Sequence, residues 1–193
     1  MNPVTWFVAH GMLVAPGMKT VFVLVCLAIS GTASAGGYLG LSLGTQPGAN
    51  DEFESQIGQP TGRSLRGLAG LRFGNVSLEA AINGFDVITV HFGERTAYQA
   101  SASLKLNLPI GNDFEVFGRI GAERSWLKLA DNGFDFTGDG FVAGGGIEYR
   151  LNAVLANASI FLDYNVHHST LESVRFDVDD TLRIWSFGLT VGL

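Results

Sequence analysis

Charge is scarce in this chain. Charged residues make up 16% of its 193 positions, where soluble domains usually carry roughly a quarter. A basic excess is missing too: the net charge is −6, which argues against nucleic acid as a partner, because phosphate binding needs a basic face. Cysteine occurs once, at Cys26, so no disulfide framework is available. Convincing helical periodicity is missing from residues 36–193. What remains is apolar and small. Hydrophobic residues reach 47%, and 26 glycines are spread along the chain without a collagen-like period.

The first apolar block, MKTVFVLVCLAISGTASAGG, begins at Met18. Lys19 supplies a short positive start, Val21 to Ile29 an apolar core too short to cross a bilayer, and Ala33-Ser34-Ala35 a small-residue cleavage site. This reads as a secretory signal rather than a membrane anchor. Residues 1–17 have no basic segment, so the expected biological start is Met18. Val23-Leu24-Val25 ahead of Cys26 do not suit lipoprotein processing. Cleavage after Ala35 is expected, leaving residues 36–193 as a single domain without cysteine or thiol chemistry.

Within that domain apolar residues alternate with small or polar ones, the period of a half-buried strand. In YQASASLKLNL, Tyr98, Ala100, Ala102, Leu104, Leu106 and Leu108 oppose Gln99, Ser101, Ser103, Lys105 and Asn107. The terminal segment sets Trp185, Phe187, Leu189, Val191 and Leu193 against Ser186, Gly188, Thr190 and Gly192. Eight such segments of roughly ten residues are expected, the length that crosses a bilayer when tilted. Their connections alternate between short turns (near Asn75, IGND, NAVLAN) and long polar stretches: QPGANDEFESQIGQPTGR, FDVITVHFGERT, LKLADNGFDFTGDG and HHSTLESVRFDVDD. All long loops then fall at one end, the layout of outer-membrane barrels with short periplasmic turns. The pattern predicts an all-β, eight-stranded, antiparallel, transmembrane up-and-down barrel whose last strand closes on its first, so that the apolar C-terminal strand is no exposed edge.

Parity assigns an inward face carrying Arg66, Arg72, Lys105, Arg119 and Arg150 with Glu79, Glu115, Glu123, Glu148 and Asp163. The opposite face has no charge at mid-depth; Arg124 and Arg183 share its parity only near the external rim, where they can snorkel. Tyr98, Phe141 and Trp185 at the loop end, and Phe73, Phe114 and Tyr149 at the turn end, suit two aromatic girdles. An interior of five bases and five acids leaves little room in so small a barrel. Glu79, Lys105, Arg119, Glu148 and Asp163 are expected to form a mid-barrel network that plugs the lumen.

Leader, strands, loop asymmetry and the terminal WSFGLTVGL together resemble the small OmpA-like outer-membrane β-barrel family, over about residues 36–193. The resemblance implies a closed barrel in the Gram-negative outer membrane, with outer-membrane lipids and lipopolysaccharide around it. It also implies the barrel-insertion machinery as a partner in biogenesis, reading a C-terminal signal at Trp185, Phe187, Leu189, Val191 and Leu193. That signal most often ends in Phe or Trp, and here it ends in Leu193. The likeness extends to the barrel alone, so no peptidoglycan-binding domain and no tether to the cell wall are expected. The protein is expected to be a monomer without a cofactor or metal.

Three stretches invite a chemical reading. In NVHHSTLE, His167, Ser169 and Glu172 resemble the His/Ser/acid set of outer-membrane lipid A deacylases, in which a His activates a Ser for ester attack. Against it, the small residues that usually follow the Ser are missing and parity turns His167 inward. Asp131, Asp135 and Asp139 stand four apart, but not in the order of an EF-hand loop. GLAG and GGGIE lie inside strands, where glycine makes room for bulky inward neighbours rather than cradling phosphate. The reading is therefore a non-enzymatic envelope protein, structural or interacting through acidic external loops. A lipid A deacylase and a small porin-like solute channel are the alternatives.

Overall fold

The computed structural model describes residues 36–89, 93–128, 135–153, 156–172 and 177–193. The expected secretory signal and cleavage site lie outside the described residues. Eight strands run in sequence: β1 (Gly36–Gly44), β2 (Gly58–Phe73), β3 (Val76–Thr89), β4 (Gly93–Pro109), β5 (Phe114–Lys128), β6 (Asp135–Ala153), β7 (Ala156–Glu172) and β8 (Asp177–Gly192). Each pairs antiparallel with the next, and β1 closes on β8 with Tyr38 opposite Gly192 and Leu43 opposite Phe187. The ring is complete, so the backbone groups of the final strand are satisfied by the first. Even Leu193 donates its N–H to the carbonyl of Gly37.

The strands are longer than the alternation predicts. Seven of the eight run 14 to 19 residues, well beyond the 9–11 that cross a bilayer. Most of the polar stretches expected as loops are strand: Phe85–Thr89 completes β3, Gly93–Thr96 opens β4, and His167–Glu172 completes β7. The physical reason is an inversion of the pattern. Along β4 the outward residues from Leu108 back to Tyr98 are apolar or small, and beyond them the same parity carries Thr96 and Glu94. Along β8 it passes from Trp185 to Arg183, Thr181, Asp179 and Asp177. The inward parity changes in the opposite sense, from Glu79 and Asn83 to Phe85 and Val87 on β3, and from Glu123 to Leu127 on β5. Below the switch the outside is lipid and the inside polar. Above it the barrel stands in water and needs an apolar core like any soluble barrel.

A second departure is a short helix, α1 (Asp51–Gln56), within the first connection. Its six residues are too few to show a helical period, and such a helix is marginal on its own. Packing holds it. Phe53 and Ile57, four apart and therefore on one face, are both 2% exposed and sit in the external apolar core. Acidic Asp51, Glu52 and Glu54 occupy its first turn, where the helix dipole favours negative charge.

Candidate functional site: the packed barrel interior

The interior is built in levels, each drawn from the inward parity of several strands. At the turn end, Arg72 of β2 grips Glu115 of β5 with two hydrogen bonds of 2.8 Å, and Arg150 of β6 reaches the same carboxylate. Glu115 is buried, while Arg72 and Arg150 remain partly exposed. They line a cavity of about 530 Å³ with Asn75, Asn157, Ser159 and Thr190.

The middle level is the densest. Arg66 donates to Asp163 at 2.6 Å and to Ser42 at 3.1 Å. Arg119 lies 3.3 Å from both Asp163 and Glu79. Lys105 binds Glu148 at 2.6 Å and approaches Glu79 to 3.5 Å. Tyr38 donates its hydroxyl to Glu79 at 2.7 Å. Three bases thus face three acids, all nearly fully buried, which is the condition for charges withdrawn from water to be tolerated. Rings complete the packing. Phe117 lies under the Lys105 ammonium at 4.2 Å and the Arg119 guanidinium at 5.2 Å, and Phe161 lies under Arg66 at 5.6 Å.

Glycine makes this density possible. A Cβ on Gly70 would lie 2.2 Å from the Tyr38 ring, and one on Gly188 would lie 2.3 Å from Phe161. On β6, Gly144 and Gly146 similarly leave room for Asn165 and Asp163.

Above the network lies a neutral and acidic level. Asn83 donates to Gln99 at 3.2 Å, Ser169 to Ser125 at 3.5 Å, and His167 Nδ1 bonds the Glu123 carboxylate. Asp180 of β8 stands five residues beyond Trp185, above the lipid-facing band. Burial, reinforced by the negative charge of Glu123, pushes its carboxyl up to about 8. The topmost level is the apolar core around Phe53 and Ile57. Two voids between these levels are about 10 Å³ each, room for roughly one water molecule.

The structure places all ten charges assigned to the inner face inside or at the mouth of the barrel, in three separate groups. Glu79, Lys105, Arg119, Glu148 and Asp163 meet at mid-depth, joined by Arg66 and Tyr38, which had not been counted with them. Tyr38 was legible, since it shares the parity of Gly40 and Ser42 on β1. The pairing of Glu123 with His167 is set by neighbouring strands and has no local signal.

His167, Ser169 and Glu172 do not assemble. His167 and Ser169 point into the lumen and are buried, whereas Glu172 has the opposite parity and is exposed at the end of β7. The acid beside His167 is Glu123, and the partner of Ser169 is Ser125. Of the spaced aspartates, Asp131 lies outside the described residues and Asp139 faces outward, 3.7 Å from Arg124. Among the described residues no three His, Cys, Asp or Glu side chains converge on a metal position.

The outer wall is apolar from end to end of the lipid band. Trp185, Phe187, Leu189, Val191 and Leu193 all face outward and are exposed. Trp185 packs on Tyr164 at 4.9 Å near the loop end, and Phe114 on Tyr149 at 4.7 Å near the turn end.

The family model described as outer membrane protein beta-barrel domain matches residues 20–193. No curated protein matches the sequence. Among solved structures the chain is similar to Neisserial surface protein A, with 17% identity and a TM-score of 0.61 over 82% of this chain and 98% of that one. It is similar to OprG from Pseudomonas aeruginosa, with 14% identity and a TM-score of 0.51 over 83% and 96%. The N-terminal barrel of Pseudomonas aeruginosa OprF gives 8% identity and 0.51 over 83% and 98%. At these identities the likeness is one of fold.

Proposed function

The chain belongs to the outer membrane protein beta-barrel domain family, and from that premise we propose that it is a non-enzymatic barrel with a closed lumen. It serves envelope structure or surface interaction through the external half that stands above the lipid. The observation carrying this reading is the middle level. Arg66, Lys105, Arg119, Glu79, Glu148 and Asp163 are cross-paired from six strands, and the voids above them hold about one water each. A lumen so filled leaves no aqueous path for a solute wider than water. Around the wall we place outer-membrane lipid and lipopolysaccharide, and for the terminal strand ending at Leu193 a role as the signal read by the insertion machinery.

Reconstitution in planar bilayers tests the reading. Rare and small conductance steps are expected. A large, steady open channel in the wild type would establish the porin-like alternative. For the deacylase alternative, lipid A from deletion and overexpression strains should have identical acylation by mass spectrometry, and loss of an acyl chain on overexpression would sink the non-enzymatic reading.

A further inference from the structure

The external half of the barrel is an apolar cup that is filled by its own chain. Five strands line it with Phe85, Val87, Ala97, Leu127, Leu171 and Leu182, and the occupants are Phe53 of α1 and Ile57, the residue that follows it. These two side chains come from the connection between β1 and β2 and are not part of any strand. Their segment is fastened to β8 at one side and to β2 at the other, where Gln46 donates to the carbonyl of Pro60 at 2.8 Å and Gln59 to the Glu54 carboxylate at 3.4 Å. Gly48 and Arg183 exchange two backbone hydrogen bonds of 2.9 Å, and Asn50 donates to the carbonyl of Asp179 at 2.9 Å. On the other side the chain re-enters β2 through Gly58, whose φ of +145° is open to glycine and strained for other residues. None of the contacts that hold this segment belongs to the strand ladder of the closed ring, so its release leaves the barrel paired.

At the floor of the cup is a group that the apolar filling does not explain. Asp180 is 2% exposed, and its Oδ1 has no hydrogen-bond partner among the described residues. It lines a void of about 10 Å³ beside Phe53, Phe85, Leu127 and Leu171. A carboxyl in such surroundings is costly unless something pairs with it. The charged group that faces it is Glu123 on β5, itself bonded to His167 of β7, so the field at the floor favours a cation.

We propose that the external cup is a binding site for a small amphiphilic amine, whose apolar body takes the place of Phe53 and Ile57 and whose ammonium pairs with Asp180. The helix α1 acts as the resident occupant, and entry requires it to leave. The size of the body is set by what α1 withdraws, about one aromatic ring and a short aliphatic chain. Selectivity resides in Asp180, because the rest of the lining accepts any apolar group of that size. The site is independent of whether the charged middle level conducts, since it lies wholly above that level.

The probe is 4-phenylbutylamine, titrated calorimetrically at about pH 9, where the Asp180 carboxyl has released its proton, against the full-length protein in lipid nanodiscs, with empty nanodiscs subtracted. It is expected to bind at least about tenfold more tightly than 4-phenylbutanol or 4-phenylbutyrate, the factor one modest ionic contact supplies. A Gly48→Cys/Arg183→Cys pair in a Cys26→Ser background should form a disulfide across that hydrogen-bonded position. Oxidised, this variant should lose binding, and reduced it should regain it. Asp180→Asn should bind amine and alcohol alike. Equal affinity for all three probes in the wild type, no binding of the amine, or undiminished binding in the oxidised form would each overturn the proposal. The wild-type and disulfide arms decide it even where Asp180→Asn fails to fold.

Discussion

Arg119 stands between two carboxylates, Glu79 and Asp163, at 3.3 Å each, and each of those has a second base in reach. Removing one member of a buried ionic group typically costs roughly 3–5 kcal/mol. Here Lys105 and Arg66 soften the loss, so Arg119→Ala is expected at about 3 kcal/mol, the low end of that range. Arg124, exposed and 3.7 Å from Asp139, should cost at most about 1 kcal/mol when replaced by Ala. Urea unfolding of the two variants in lipid vesicles compares them, and equal losses would argue that the middle level is wet. Asp180 gives a second test at this scale. Its carboxyl rises from 3.8 to about 8 on folding, so between those values the folded state holds a proton that the unfolded state has released. Stability therefore falls as pH rises through that window, by at most about 1.4 kcal/mol per pH unit. Above about pH 8 this contribution levels off. Wild type should lose stability relative to Asp180→Asn steadily from about pH 5 to about pH 8, and a constant difference would contradict the assigned protonation.

At the scale of the element, each long strand is a membrane strand below and a soluble strand above. Leu104 and Thr96 share one parity on β4 and meet different surroundings. Leu104→Arg places a charge near the middle of the lipid band and should cost roughly 2–4 kcal/mol, whereas Thr96→Arg, above that band, should cost close to nothing. Comparable losses at both positions would mean that the lipid boundary lies higher than the Tyr98 and Trp185 level. Two hydrogen bonds on the outer surface mark the wet segment: Thr96 donates to Asp86 at 2.9 Å and Thr170 to Asp179 at 3.0 Å. Glycine belongs to this scale as well, since Gly70 and Gly188 let one strand accept a ring from the strand beside it. Gly188→Val would drive a methyl into Phe161 and the β1 backbone, and slower folding into vesicles is expected.

Over the whole molecule, closure of β8 onto β1 unites the levels into one cooperative body. The ring has no edge at which unfolding can begin by fraying. Purified protein is expected to migrate differently on SDS gels before and after boiling, the folded barrel resisting the detergent. A single position for both samples would contradict a closed, lipid-embedded ring. Loss of that shift in Arg119→Ala at a lower temperature than in wild type would tie the interior network to the stability of the ring as a whole.

The amino-acid sequence by itself determined the alternation, and with it the number of strands, the direction of the two faces and the side of the wall on which each charge stands. These follow from a period of two that needs no partner to be read. It also determined where the two faces exchange character, although Phe85, Val87 and Leu127 look like loop residues until the medium on each side is known. Tertiary structure alone decided which acid meets which base. Arg66 and Asp163 are 97 positions apart, and their contact depends on strand register and on the closure of the ring. It decided, too, that Phe53 and Ile57 turn inward to fill the external cup, because a single apolar pair four residues apart carries no address. The reason is the same in both cases. A side chain's face is a local property of its backbone, while its partner is a property of the enclosed volume that eight strands share.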